Sequence, residues 1–190
     1  MMIDIREAYR RALDGFGNRL HLVADDQWEL PTPCVDWDVR ALVNHMVNEN
    51  LWAPELLSGR TVGEVGDAYD GDVLGDDPLK AFEASAQGAV QAVYAEGALT
   101  SVTHLSFGDV PGDDYITELF ADALIHTWDL ARAIGGPERL DPELVEACAE
   151  WFAEAQEGYR QAGVIGDHRD VPADADAQTR LLAAWGRRSW

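Results

Sequence analysis

The chain has 190 residues and a mass of 20.9 kDa, 47% of it hydrophobic and 26% charged, which is globular composition for one domain over residues 1–190 and excludes disorder. Fourteen Lys and Arg against 35 Asp and Glu leave a formal net charge of -21, which argues against nucleic acid and anionic membrane surfaces as partners. The same field repels anionic substrates unless a cation in the site reverses it locally.

Apolar residues recur at helical spacing over most of the length. Ile5, Tyr9, Ala12, Phe16, Leu20 and Val23 predict a first helix from about residue 3 to 24. Pro31-Thr32-Pro33 breaks the chain, and Asp36 is the expected cap of a second helix through about Leu57, ended by Ser58-Gly59. Residues 59–76, with five glycines and four aspartates, read as a loop. Asp77-Pro78 opens a third helix to about Glu96. Val102, Leu105, Phe107 and Val110 suggest an irregular or short β connection before a fourth helix, from about Asp114 to Ile134, stopped by Gly135-Gly136-Pro137. Asp141-Pro142 starts a fifth to about Gln161, and Leu181 to Trp185 reads as a last short helix. Four long amphipathic helices point to an all-α bundle core, and the long connection between the second and third leaves simple up-down order open.

Two cysteines, Cys34 and Cys148, are too few for a disulfide framework, so both are expected as free thiols in a reducing cytoplasm. The start of the chain lacks the apolar run of a secretion signal, and no later run approaches a membrane span. Bundle domains often pair, which leaves a homodimer open.

The chemistry-bearing residues are few. Asp122 and His126 lie four apart on one predicted helix and therefore on one face. By itself the pair reads either as two ligands of one divalent ion or, more commonly, as a local hydrogen-bonded pair at the bundle edge. His45 lies beside the apolar stripe Val39, Leu42, Val43 and Met46 of the second helix, so a second site of the same kind exists on a helix that could pack against the first. Glu49, one turn beyond His45, and Asp129, three residues after His126, either orient imidazoles or are ordinary solvated and capping carboxylates. His21, His104 and His168 have no partner that the sequence assigns. Cys34 precedes a helix start, where a thiolate is favoured, though a structural cysteine is the commoner case. Trp37 and Trp128 are expected to pack between helices, and Trp185 and Trp190 to pin the tail. Asp70 to Gly75 imitates a calcium loop only faintly, because its fifth and twelfth positions are Leu74 and Ala81.

The block from Pro31 to His45, the block from Asp122 to Gly135 and the stretch from Val171 to Arg187 together resemble the DinB-like metal-binding superfamily. The likeness is closest to its actinobacterial branch, related to the N-terminal domain of mycothiol-dependent maleylpyruvate isomerase. It implies a DinB-like four-helix bundle holding a divalent metal through three side chains, which fall here on His45, Asp122 and His126. The maleylpyruvate isomerases carry glutamate where this chain has Asp122, and they carry an extra C-terminal domain for which 190 residues have no room.

Two imidazoles and one carboxylate leave coordination positions open, the pattern of a catalytic zinc, and the same donors suit Fe(II), Ni(II) or Mn(II). An open position on such an ion can bind a thiol and hold it as the thiolate, so mycothiol-type transfer or isomerisation is the first expectation for activity. Metal-assisted hydrolysis, with water as nucleophile, and a non-catalytic module holding metal or a small ligand are the alternatives.

Overall fold

A computed structural model describes residues 3–163, 165, 167 and 169–188. Among them are seven helices and one two-stranded hairpin, so the all-α expectation holds apart from that hairpin. The expectations for His168 and Trp190 fall outside the described residues. No described helix is long and apolar enough to cross a membrane. The described residues divide into two compact units, residues 4–138 and the described residues from 139 onward together with Ile3.

The first unit contains the bundle. Helix α1 (Ile5–Leu20) begins where the Asp4 carboxylate accepts from Arg6 N–H, and it buries Tyr9, Ala12, Leu13, Phe16 and Leu20 on one face. Helix α2 (Val39–Leu57) starts two residues later than the Asp36 cap implies. Asp38 is the cap, accepting from Ala41 N–H at 2.8 Å, while Asp36 takes a left-handed turn at φ 65° in the loop before it. Asp and Asn are the non-glycine residues that tolerate this conformation best, which is why a second acidic residue so close to the helix start misleads a cap assignment.

The connection after α2 is long, as expected, and it is ordered by short-range chemistry. A one-turn helix α3 (Val62–Val65) is closed by a capping box between Thr61 and Glu64. The rest is tied to α2 by two asparagines. Asn44 donates to Gly71 O and accepts from Val73 N–H, and Asn48 donates to Tyr69 O. Asp72 accepts from Arg40 and from Leu74 N–H, so the calcium-like stretch is a structural loop. Helix α4 (Pro78–Val93) opens on the predicted Asp77 cap and proline, and ends three residues short of the expected Glu96.

Strands β1 (Val102–Leu105) and β2 (Gly108–Pro111) form the hairpin that the scattered apolar residues only hinted at, with Val102 opposite Pro111 and Leu105 opposite Gly108. Helix α5 (Gly112–Ile134) follows at once. Gly112 N–H donates to Ser101 O, and a methyl group at Gly112 would lie 1.9 Å from Ala98 O, so only glycine fits where this helix leaves the hairpin. From Ala123 to Ala131 every residue is buried, and a helix buried on all sides belongs at the centre of its bundle.

Helix α5 packs on α1 and α2, and α4 packs on the same two, which closes the four-helix ring α1-α4-α2-α5. Phe16 and Phe82 meet at 5.1 Å between ring centres where α1 faces α4. At the junction of α1, α2 and α4 the core is polar. Tyr9 donates to Asn50 Oδ1, Asn50 donates to Ser85 Oγ, and Ser85 donates to Phe82 O.

The second unit holds α6 (Pro142–Gln161), capped by Asp141, and α7 (Ala177–Ala184), capped by Asp176. Trp185 stacks on Phe152 at 4.4 Å, and Arg160 donates to Ala184 O, so the tail is pinned to α6 as Trp185 suggested. Cys148 lies buried on α6, where loss of solvation pushes its thiol up to about 12.

Candidate metal centre

His45 comes from α2 and the pair Asp122 and His126 from α5, and the packing of these two helices turns the three side chains toward one another. The Asp122 carboxylate sits between the imidazoles. Its Oδ2 lies 3.1 Å from His45 Nε2 and its Oδ1 lies 3.1 Å from His126 Nε2. One ligand atom from each of the three lies within 4.8 Å of the others, a spacing in which a single ion could be shared. The two rings meet edge to face at 5.0 Å between centres. His45 and Asp122 keep 24% and 30% of their side-chain surface exposed while His126 keeps 9%, so the cluster opens to solvent on the His45 and Asp122 side.

The electrostatics follow from this enclosure. Burial alone would raise the Asp122 carboxyl, but the positive charge available on His126 and His45 overcomes it and holds the group well below the usual carboxylate range. Burial likewise disfavours the charged form of His126, and the facing Asp122 carboxylate more than offsets it, raising the imidazole well above its ordinary value. Glu49 is pushed the other way. Burial raises its carboxyl, and the Asp122 charge raises it further. Its Oε1 is 3.9 Å from His45 Nδ1, an ion-pair separation too long for a hydrogen bond.

Asp129 makes the closer contact. It is fully buried, and its Oδ2 lies 2.9 Å from His126 Nδ1. The loop before α2 adds two residues that sequence reasoning gave packing or structural roles and did not assign to the site. Cys34 Sγ donates to Asp129 Oδ2 at 3.4 Å and lies 3.8 Å from His126 Nδ1. Trp37 lies against both imidazoles, with ring centres 4.8 Å from His45 and 5.8 Å from His126. The loop that carries them is held by its own hydrogen bonds: Thr32 Oγ1 donates to Trp37 O and accepts from Cys34 N–H, and Thr32 N–H donates to Trp37 O. The signal available in advance was the turn-forming Pro31-Thr32-Pro33, which delivers Cys34 and Trp37 at a fixed position ahead of the helix. Of the remaining histidines, His21 lies 3.3 Å from Glu83 on the surface and His104 pairs with Asp109 across the hairpin at 2.7 Å.

A sequence profile of the mycothiol maleylpyruvate isomerase N-terminal domain family matches residues 9–131, nearly two thirds of the chain and all three clustered residues. The chain belongs to that family. It is 32% identical over 186 residues to uncharacterized proteins from two strains of Mycobacterium tuberculosis. The match covers 95% of this chain and 96% of each of theirs. The crystal structure of a histidine-to-alanine mutant of mycothiol-dependent maleylpyruvate isomerase shares the fold, with a TM-score of 0.59 at 14% identity over 80% of this chain and 71% of that one.

Proposed function

We propose that this chain holds a divalent ion, zinc first among the candidates, on His45, Asp122 and His126, and uses it with a low-molecular-weight thiol of the mycothiol type in transfer or isomerisation. The observation that carries the reading is the convergence of two imidazole Nε2 atoms and one carboxylate from two helices, with the ligand atoms within 4.8 Å of one another. The donor set fits such an ion, because a carboxylate kept ionised between two imidazoles supplies the charge and the two nitrogens supply neutral donors. When bound, the ion would supply a Lewis acid with open positions, able to favour the thiolate form of a thiol at neutral pH.

The chain's own groups do the rest. Asp122 balances charge, Trp37 covers both imidazoles on one side, and the exposed edges of His45 and Asp122 leave an approach for a small molecule. The thiol is supported by the isomerase in the related structure, which is mycothiol-dependent, and by the family to which the chain belongs.

Elemental analysis of protein purified without a metal-affinity tag tests the first half of this reading, and one equivalent of metal per chain is expected. The metal-loaded protein is then assayed with and without added thiol. Turnover only with thiol supports the proposal, turnover without thiol makes the protein a hydrolase, and stoichiometric metal with no turnover makes it a binding module. Protein that takes up no metal ends the proposal.

A further inference from the structure

His126 has a carboxylate at each ring nitrogen, Asp122 Oδ1 at Nε2 and Asp129 Oδ2 at Nδ1. The three residues fall at i, i+4 and i+7 of α5, one row along a single helix face. The two carboxylates differ in kind. Asp122 faces the opening with 30% of its side chain exposed, whereas Asp129 has none exposed. With Asp129 Oδ2 as acceptor, the role it also plays toward Cys34 Sγ, the 2.9 Å contact places a proton on Nδ1. A neutral imidazole protonated on Nδ1 has its lone pair on Nε2, and Nε2 is the nitrogen that faces Asp122 and His45.

Asp129 is itself held from outside its helix. Cys34 Sγ donates to the same Oδ2, from a loop that Thr32 closes onto Trp37 O, so the oxygen is fixed between α5 and the segment that leads into α2. Were Oδ2 free to swing, the ring could rotate about its Cβ–Cγ bond and carry Nε2 away from the other two donors.

We infer that Asp129, braced by Cys34, is the positioning residue of this site: it locks the His126 ring and its tautomer so that Nε2 presents its lone pair to the point shared by His45 and Asp122. The inference rests on the metal reading for its purpose and on hydrogen-bond geometry for its content, and it makes Asp129 and Cys34 supports of His126 rather than ligands, although ligand atoms of these three also lie within 4.8 Å of one another.

The test uses the full chain in two measurements. In the metal-free protein, where His126 carries a proton on each ring nitrogen, nitrogen-15 NMR should show a downfield, slowly exchanging Nδ1–H in the wild type and in Asp129→Asn, which keeps an acceptor, and a rapidly exchanging one in Asp129→Ala, which reads the ring orientation. Zinc affinity, read by chelator competition, should fall about 10–100-fold in Asp129→Ala, the usual effect of losing such a partner. Asp129→Asn should fall between that variant and the wild type. Cys34→Val should lose affinity by several-fold, and Cys34→Ser, whose hydroxyl can still donate, should stay near the wild type. Should Asp129→Ala not fold, the Asp129→Asn and Cys34→Val affinities decide, and wild-type values in both would overturn the inference. So would wild-type zinc affinity in a folded Asp129→Ala. A sulfur-to-metal charge-transfer band in the cobalt-loaded wild type, lost in Cys34→Ser, would make Cys34 a ligand and overturn its bracing role. A wild type that takes up no zinc sinks the metal reading alone, and the imidazole proton then still decides whether Asp129 orients the ring.

Discussion

Replacing Asp122 by asparagine keeps the shape of the side chain and removes one negative charge from between two imidazoles. A dication and a carboxylate at a ligand distance of about 2.1 Å attract by roughly 4 kcal/mol even at the dielectric constant of water. Asp122 is 30% exposed, so water screening is the appropriate floor and a drier site would only increase the loss. About 4 kcal/mol is roughly a thousandfold in affinity, well outside the 10–100-fold expected of a residue that merely orients a ligand. Calorimetry of the metal-free protein with Zn(II), extended by chelator competition, gives the comparison. Asp122→Glu should retain zinc, since the longer side chain can still reach between both nitrogens. If Asp122→Asn binds zinc within tenfold of the wild type, Asp122 is not a ligand and Glu49 becomes the carboxylate to examine.

Because the metal-free His126 imidazole is raised well above its ordinary value, zinc must displace its proton, so binding near neutral pH should release protons and weaken as pH falls. Calorimetry in buffers of different ionisation enthalpy reads this directly, and no proton release would place zinc away from His126. Without metal the sign reverses: stability from the raised His126 is complete below about pH 6.5 and is lost as pH rises through its folded value, while that from the depressed Asp122 is present above about pH 3.8–3.9 and lost as pH falls below it. The melting-temperature advantage of the metal-free wild type over Asp122→Asn should therefore be largest between those limits and shrink on the alkaline side. Cys148, buried and with its thiol pushed up to about 12, should ignore thiol reagents in the native protein, while two thiols per chain are titrated after denaturation. Gly112→Ala should destabilise by about 1–3 kcal/mol in urea melts, because its methyl group would lie 1.9 Å from a backbone oxygen of Ala98.

The helices were legible because their signals are local. The Asp77-Pro78 and Asp141-Pro142 starts and the Gly135 stop fall where the sequence places them, and α5 carries enough apolar residues to declare itself. The start of α2 was displaced because Asp36 and Asp38 compete for one role, and only backbone conformation decides between them. The hairpin at 102–111 depends on pairing, which periodicity over four-residue strands cannot resolve. At the site, Asp122 and His126 were visible as neighbours one turn apart and His45 as a histidine beside the apolar stripe of the second helix, and the matching block from Pro31 joined it to the other two. Asp129 stood with equal weight as a solvated carboxylate until its complete burial against Nδ1 separated it from Glu49. The approach of Cys34 over 95 residues of sequence to Asp129 is a tertiary fact, with no periodic trace in the chain.

The hydrogen-bond chain Tyr9–Asn50–Ser85 has a consequence at some distance from itself. Apolar side chains grip a helix loosely about its long axis, since a small roll exchanges one greasy contact for another. A buried amide with one partner on α1 and another on α4 tolerates no such roll, because turning it strands a phenol and a hydroxyl without water. Asn50 follows His45 by five residues, so the two project about 140° apart around α2. The azimuth of the helix is thus keyed on one side of the bundle and spent on the other, where it decides whether an imidazole points at α5 or past it.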